Sequence, residues 1–442
     1  MGRRKVVIMG AAGRDFHNFN TLFRGDEAQE VVAFTAAQIP DIEGRTYPPE
    51  LAGPLYPQGI PIRGEGELES IVRERGVDEV WFSYSDVSHL DVMHKGSAVV
   101  GWGASFGLCS ATKTMLPSSK PIIAVTAVRT GVGKSQTTRY LSRILRDLGK
   151  KVVAVRHPMP YGDLTKQIAQ RFATHEDLDR YETTIEEREE YEPHIDNGFV
   201  VYAGVDYEKI LRQAEQEAEV ILWDGGNNDT PFYWPDLHIT LLDPHRPGHE
   251  TSYYPGETNL RLADLLIINK VDTADPKNVE RVLESCRRNN PRARVIQCRS
   301  AIHVDEPELI RGKRALVVED GPTLTHGGMT YGAGWFAAQQ AGAAEIVDPT
   351  PYAVGSIRAT YEKYPNSRKI LPAMGYGEHQ IRELEATINA TPADVVVEGT
   401  PIDLKRILKV NKPIANVGYE LEELEPGVLA EMVRAVVENR AA

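Results

Sequence analysis

An apolar run, PIIAVTAV (121–128), leads directly into RTGVGKS (129–135) and on into SQTTRYLSRILRDLG (135–149). A buried strand, a glycine loop and a polar helix in immediate succession form a strand–loop–helix unit of a parallel sheet. Gly131 and Gly133 permit dihedrals and close approaches that a side chain blocks. Successive backbone N–H groups then face one concavity, and the helix beginning near Ser135 adds its unpaired N–H groups and positive dipole end. Lys134 reaches terminal phosphates and the Ser135 hydroxyl suits magnesium (Mg2+). Thr130, Gly131, Val132, Gly133, Lys134, Ser135 and Gln136 are therefore the candidate nucleotide loop. A turn that merely needs glycine is the plainer alternative, and the adjacent Gly-Lys-Ser argues against it.

The ordinary phosphate-loop spacing wants glycine or alanine at position 128, where Val128 stands. The variant K-G-G-x-G-K-[ST] matches better, with Arg129 replacing its first lysine and Thr130 its first glycine. This resembles the P-loop NTPase class that includes dethiobiotin synthetase, the septum-positioning ATPases and the metallochaperone GTPases. The resemblance implies a catalytic role for Arg129 on the transferring phosphate, sometimes across a homodimer. A guanidinium suits that role as a bidentate phosphate ligand.

At 442 residues, 41% of them hydrophobic, the chain is long enough for two or three domains. Residues 1–117 carry RKVVIMGAAGRDFHNFN, EVVAFTAAQIP and VDEVWFSYSDVSHLDVM. These are strands alternating with helices, an N-terminal Rossmann-like doubly wound sheet whose ligands sit at strand carboxyl ends. Its lone G-x-x-G is weak support for a dinucleotide. Arg14, His17, Asn18 and Asn20 follow it, either as grips for a small anion or as turn and cap residues. Lys113, in GWGASFGLCSATKTML, belongs to a second candidate anion nest. Residues 118–345 form the P-loop NTPase core, with near-continuous apolar strands from PIIAVTAV to RALVVEDG. Residues 346–442 hold two more strands, ADVVVEG and KPIANVGYEL, as an α/β extension that either continues the central sheet or caps it.

No apolar run reaches membrane-spanning length, and the basic start is too short and glycine-rich for a secretory signal. The net charge of −13 argues against nucleic-acid or membrane-surface partners. Cys109, Cys286 and Cys298 lack paired spacing, so neither disulfides nor zinc are expected, and a cytoplasmic setting fits.

AEVILWDGGNND ends a strand in Asp224, where a carboxylate facing the loop holds magnesium. Asp163, after the next strand, is a candidate catalytic, water-positioning carboxylate. LLIINKVD supplies Asn269, Lys270 and Asp272 for a nucleotide base: Asp272 suits the guanine N–H donors, and Asn269 also serves the adenine amino group. ATP and GTP both remain open. Pro247 and Gly248 break any helix that would align His245 with His249, so a metal pair is not expected there. The acidic stretch HEDLDRYETTIEEREEYEPHI reads mostly as a solvated helix, with Glu189, Glu190 and Glu192 beside His194 as possible lid residues.

MGAAGRDFHNFN, RTGVGKSQTTR, IEEREEYEPHI, WDGGNND, NKVD, VEDGPTLTHGGM and VEGTPIDLKRIL together resemble the cyclic 2,3-diphosphoglycerate synthetase family, with its homologues labelled predicted GTPases. The resemblance spans nearly the whole chain. It implies a magnesium- and nucleotide-dependent ligase in which a small anionic phosphorylated substrate attacks the terminal phosphate and closes into an internal phosphoanhydride. Arg14, His17, Lys113, Arg156 and His157 become candidate substrate grips. A regulatory or metallochaperone-like GTPase is the alternative, favoured by NKVD; the additional N-terminal sheet favours the enzyme.

Overall fold

The computed structural model describes residues 2–37, 44–156, 162–226, 228–325, 329–374, 378–400 and 403–439. His157 lies outside the described residues. The N-terminal apolar runs pair into a six-stranded sheet in the order Thr46–Tyr47, Ile60–Gly64, Gln29–Ala36, Arg4–Met9, Glu79–Phe82, Ser105–Leu108. All neighbours are parallel except Thr46–Tyr47. The sequence reverses direction at Arg4–Met9, so a crevice opens beyond the carboxyl ends of Arg4–Met9 and Glu79–Phe82. Both faces are covered: Phe16, Phe19 and Tyr47 pack one side, and Val72, Phe82 and Val99 the other.

The second sheet has thirteen strands. The loop-bearing strand Ile122–Ala127 is entirely buried and lies between Val220–Asp224 and Leu237–Leu242, parallel to both. This is a P-loop NTPase core: the loop strand and the carboxylate-bearing strand are neighbours. Arg294–Val304 is the joint of the sheet. Its first half pairs in parallel with Leu265–Ile268, and its second half pairs antiparallel with Ile414–Glu423. Val395–Gly399 and Arg314–Asp320 follow, so the C-terminal strands continue the central sheet. Arg314–Asp320, read above with residues 118–345, pairs with Val395–Gly399, Glu345–Ile346 and Leu371–Ala373, and among the described residues it pairs with no loop-side strand.

The chain end braces the phosphate-loop helix Lys134–Asp147. Leu141 and Leu145 share a core with Leu429 and Val433 of the helix Val428–Asn439. Tyr140 donates to Glu423 at 2.9 Å and Arg143 to Glu420 at 3.0 Å. The two sheets are tied by an antiparallel ribbon of Val87–Ser88 with Tyr253–Tyr254. No helix among the described residues is long and apolar enough to cross a membrane.

Candidate active site

Gly131 and Gly133 adopt φ of 79° and 118°, and a Cβ on Gly133 would collide with Gln136 and sit against Asn269. Three consecutive carbonyls of the loop are held from outside. Arg246 Nη2 donates to Thr130 O at 2.9 Å, Lys270 Nζ to Gly131 O at 2.6 Å and Asn269 Nδ2 to Val132 O at 2.8 Å. In a planar trans peptide the C=O and the next N–H point opposite ways. Tethering these carbonyls therefore turns the N–H groups of 131, 132 and 133 toward the other side, where a phosphate is cradled. Asp243 anchors the tethers, accepting from Arg246 at 2.8 Å with Lys270 Nζ at 3.7 Å. Burial opposes its charge, but Lys270 and Arg246 hold it below the usual carboxylate range. Two NKVD residues thus shape the loop itself. Asp272 is exposed and acts on His245 through its charge.

Lys134 Nζ donates to Asn228 Oδ1 at 3.0 Å. Burial, followed by the nearby Arg156, pushes Lys134 down to about 8. Asp224, at its strand end, is completely buried; Arg156 Nη1 lies 2.5 Å from its Oδ2 and His194 Nε2 at 3.3 Å. Burial works against that charge, and Arg156 and His194 overcome it, keeping Asp224 well below its ordinary range. Its Oδ1 is buried without a hydrogen-bond partner among the described residues. An orphaned carboxylate oxygen and the Ser135 hydroxyl at the helix start fit a hard divalent cation such as magnesium.

The acidic stretch departs from its expected solvated state. In the helix Ile185–Asp196, Glu189, Glu192 and His194 are buried. Each has a partner: Glu189 accepts from Thr400 at 2.6 Å, Glu190 pairs with Arg156, Glu192 with Arg188 at 3.1 Å and His194 with Asp224. Glu190 faces Arg156, a buried cation of the core, which a charge count along the sequence does not reveal. Burial lowers His194, so it is neutral beside Asp224.

Arg129 is engaged by side chains that flank the loop. Its Nε donates to Asp86 Oδ1 at 2.6 Å, its Nη1 meets His249 Nδ1 at 2.6 Å, and it lies 3.7 Å above the Tyr253 ring. Asp86 also accepts from the Thr130 N–H at 3.2 Å. The N-terminal sheet thereby grips the first residues of the loop. Asp86, Asn228 and Lys270 all hold positive φ, near 60°, although none is glycine. Such backbone strain concentrates where a site over-determines conformation.

Beyond Asn228 lies a cavity of about 400 Å³ between the two sheets. Arg14, Asn18, Tyr84, Asp229, Thr230 and Tyr254 are among its walls. Arg14 stacks on Phe232 at 4.2 Å, reaches Thr230 and donates to Thr114 Oγ1 at 3.2 Å, with Asp229 3.8 Å from its Nε. Asn18 donates to Ser83 at 3.0 Å, and its buried Oδ1 has no partner among the described residues.

The other candidates lie differently. His17 is buried, stacks on Phe232 and hydrogen-bonds the Thr114 carbonyl at 2.6 Å. Burial and then Arg14 push it down to about 3, so it is neutral and cannot grip an anion by charge. Asn20 accepts from Tyr47 at 3.1 Å within the N-terminal domain. Lys113 is exposed on the short helix Ala111–Thr114 and is not a cavity wall. Asp163 is exposed, and its carboxylate accepts from the Thr165 N–H and hydroxyl, as in a turn. Arg156 sits in the Asp224 pair. His245 meets Thr273 while His249 meets Arg129, so the two diverge. Asp86, Asp243, Arg246, Asn228 and Asp229 were not singled out from sequence. Their only signal was position: each follows the carboxyl end of a parallel strand.

No family model matches the chain. A curated protein of Thermococcus kodakarensis, "Arginine synthetase ArcE", is 64% identical over 437 residues, covering 99% of this chain and 98% of its own. The chain belongs to the family of this arginine synthetase. That name differs from the cyclic 2,3-diphosphoglycerate synthetase of the motif resemblance; the P-loop NTPase class stands. Among solved structures, LpxK from Aquifex aeolicus in complex with ATP is 14% identical with a TM-score of 0.43, covering 73% of this chain and 90% of its own. MinD from Aquifex aeolicus is 19% identical with a TM-score of 0.24, covering 40% and 81%. Neither superposes closely enough to transfer a residue role.

Proposed function

We propose that the chain is a ligase-type enzyme that uses the terminal phosphoryl group of ATP, with GTP as the alternative, to activate an oxygen of a small anionic substrate. The observation that carries this reading is a shared wall. Asp224 faces the loop, Asn228 touches Lys134, and the next residues, Asp229 and Thr230, line the cavity. A phosphate donor on the loop and an acceptor in the cavity would meet across Asn228. A switch GTPase needs no such second chamber.

The relative's name supplies a product, arginine. A nucleotide-driven route to a guanidino group runs through an oxygen on the carbon that becomes the guanidino centre. That oxygen attacks the terminal phosphate and the nucleoside diphosphate leaves. A nitrogen nucleophile then adds to the activated carbon, and inorganic phosphate leaves with the oxygen. Both steps concentrate negative charge, which preorganised donors stabilise. Here those donors are the loop N–H groups and Lys134, which Asn228 positions. Magnesium, when bound, would neutralise phosphoryl oxygens; Ser135 and Asp224 Oδ1 would hold it. The tethered loop carbonyls keep acceptor dipoles away from the phosphates.

The phosphoanhydride chemistry of the motif resemblance uses the same activation. Its doubly phosphorylated substrate needs several cations, whereas the cavity offers Arg14 beside Asp229. That pairing supports an amino acid over a bisphosphate. For the base, Asn269 uses its amide nitrogen on Val132 and keeps a buried Oδ1 with no hydrogen-bond partner among the described residues, an acceptor suited to the adenine amino group. This supports ATP. The test is phosphate release from ATP and GTP, with ammonium and a panel of amino acids, and mass spectrometry of the product. Nucleotide hydrolysis indifferent to every amino acid would contradict the ligase reading.

A further inference from the structure

The cavity has the features of a built site rather than a packing gap. At about 400 Å³ it falls at the small end of the roughly 300–1,000 Å³ typical of ligand pockets. It is polar where a small ligand would be read. Arg14 is nine-tenths buried, and its hydrogen bonds among the described residues run through Nη1 and Nη2; Asp229 is 3.8 Å from Nε, beyond hydrogen-bond length. Asn18, one of the cavity walls, is 1% exposed, and its buried Oδ1 has no hydrogen-bond partner among the described residues. A buried acceptor left unpaired costs free energy unless a ligand donor completes it.

The charges differ in sign and are close together. A lone anion would be attracted by Arg14 and repelled by Asp229; a lone cation would meet the reverse. A zwitterion satisfies both. The nucleotide loop lies past Asn228, so the cavity is a second chamber and not part of the phosphate cradle.

We propose that this cavity is the amino-acid site: Arg14 takes the α-carboxylate, Asn18 Oδ1 and Asp229 take N–H donors, and the reacting end points toward Asn228 and Lys134. The assignment rests on the ligase reading above and names the residues that select its acceptor. Recognition requires both the carboxylate and the nitrogen donors. L-arginine, as product, binds; its decarboxylated analogue agmatine does not. Asn259 holds the shared wall, donating to Asn228 O at 2.8 Å, and so acts as a positioning residue.

Cys109 lines the same cavity and is half-buried, whereas Cys286 and Cys298 are fully buried. Its alkylation therefore reports occupancy. The experiment uses the full chain and measures L-arginine, agmatine and ATP binding by calorimetry, with iodoacetamide modification of Cys109 followed by mass spectrometry. L-arginine protects Cys109 and agmatine does not. Asn18→Leu and Asp229→Asn each weaken L-arginine by about ten-fold or more, as expected for losing a hydrogen bond to a charged or fully buried group. ATP affinity stays unchanged, which shows that the variants fold. Cys109→Trp, which fills the chamber, abolishes L-arginine binding, and Cys109→Ser retains it. Unchanged L-arginine affinity in Asn18→Leu and Asp229→Asn would overturn the cavity assignment while leaving an arginine-forming ligase intact. Amino-acid-independent hydrolysis in the wild type is instead the failure of the ligase reading.

Discussion

Arg156 Nη1 stands 2.5 Å from Asp224 Oδ2, and neither side chain is more than 1% exposed. A buried pair of this kind is costly to break from one side, about 3–5 kcal/mol, because the remaining charge is left uncompensated. Arg156→Met is expected to lower the melting temperature sharply. Asp224→Asn should leave nucleotide binding largely intact and cut turnover by roughly 10²–10³-fold, the loss typical of removing one group that stabilises transition-state charge. The double variant regains stability without activity. Thermal unfolding read beside phosphate release separates the two roles; a fully active Asp224→Asn would move the metal ligand elsewhere.

Lys134 carries a pH signature. Burial lowers it to about 8, so the free enzyme has a charged lysine below that pH and loses the charge as pH rises through it. The nucleotide kcat/KM should fall above about pH 8, since that parameter reports groups of the free enzyme. Bound phosphates restore the charge, so kcat should hold to higher pH. Lys134→Ala should abolish turnover. A kcat/KM profile flat through pH 9.5, measured with saturating magnesium, would exclude Lys134 as the titrating phosphate ligand.

Asp272 tests the base. With ATP as the natural donor, Asp272→Asn leaves ATP affinity nearly unchanged. If guanine were read there, GTP would weaken by about ten-fold or more, the scale of a good bidentate base contact. Paired ATP and GTP titrations of both proteins discriminate; equal weakening of the two nucleotides would mean that Asp272 only supports the loop.

The Asp86–Arg129 pair couples the two sheets. Asp86→Asn removes the charge that holds Arg129 and weakens the acceptor of the Thr130 N–H. Nucleotide KM should rise, and the melting temperature should fall as well, because the buried Arg129 is left without its carboxylate. Arg129→Lys should lower activity in the same way, because an ammonium cannot meet Asp86 and His249 at once and stack on Tyr253. Normal kinetics in Asp86→Asn would reduce this contact to packing.

Much of the nucleotide loop was legible before the structure, because its chemistry is local. Gly131, Lys134, Asp224 and Asn269 stand at strand ends where short motifs dictate backbone geometry. What sequence missed was contact between distant segments. Asp86 meets Arg129 from another sheet. Glu190 and His194, set in a run of charges that looks solvent-facing, turn inward because Arg156 and Asp224 await them. Asp163 follows a strand, and its carboxylate closes on Thr165, a local contact that no motif spelled out. His17, a candidate grip for an anion, is neutral because burial removes its charge, which sequence does not show. Strand order, which no spacing encodes, made the cavity.

In the proposed reaction the terminal phosphoryl group of a nucleotide on the loop passes to an acceptor oxygen in the cavity. The direct measurement places a heavy-oxygen label on the terminal urea-type oxygen of an amino-acid substrate and follows it by mass spectrometry during turnover with ATP and ammonium. The label is predicted to appear in inorganic phosphate, at one atom per arginine formed, and to vanish from it in Lys134→Ala. Phosphate that instead draws its new oxygen from solvent water, with the label retained on the amino acid, would contradict the account.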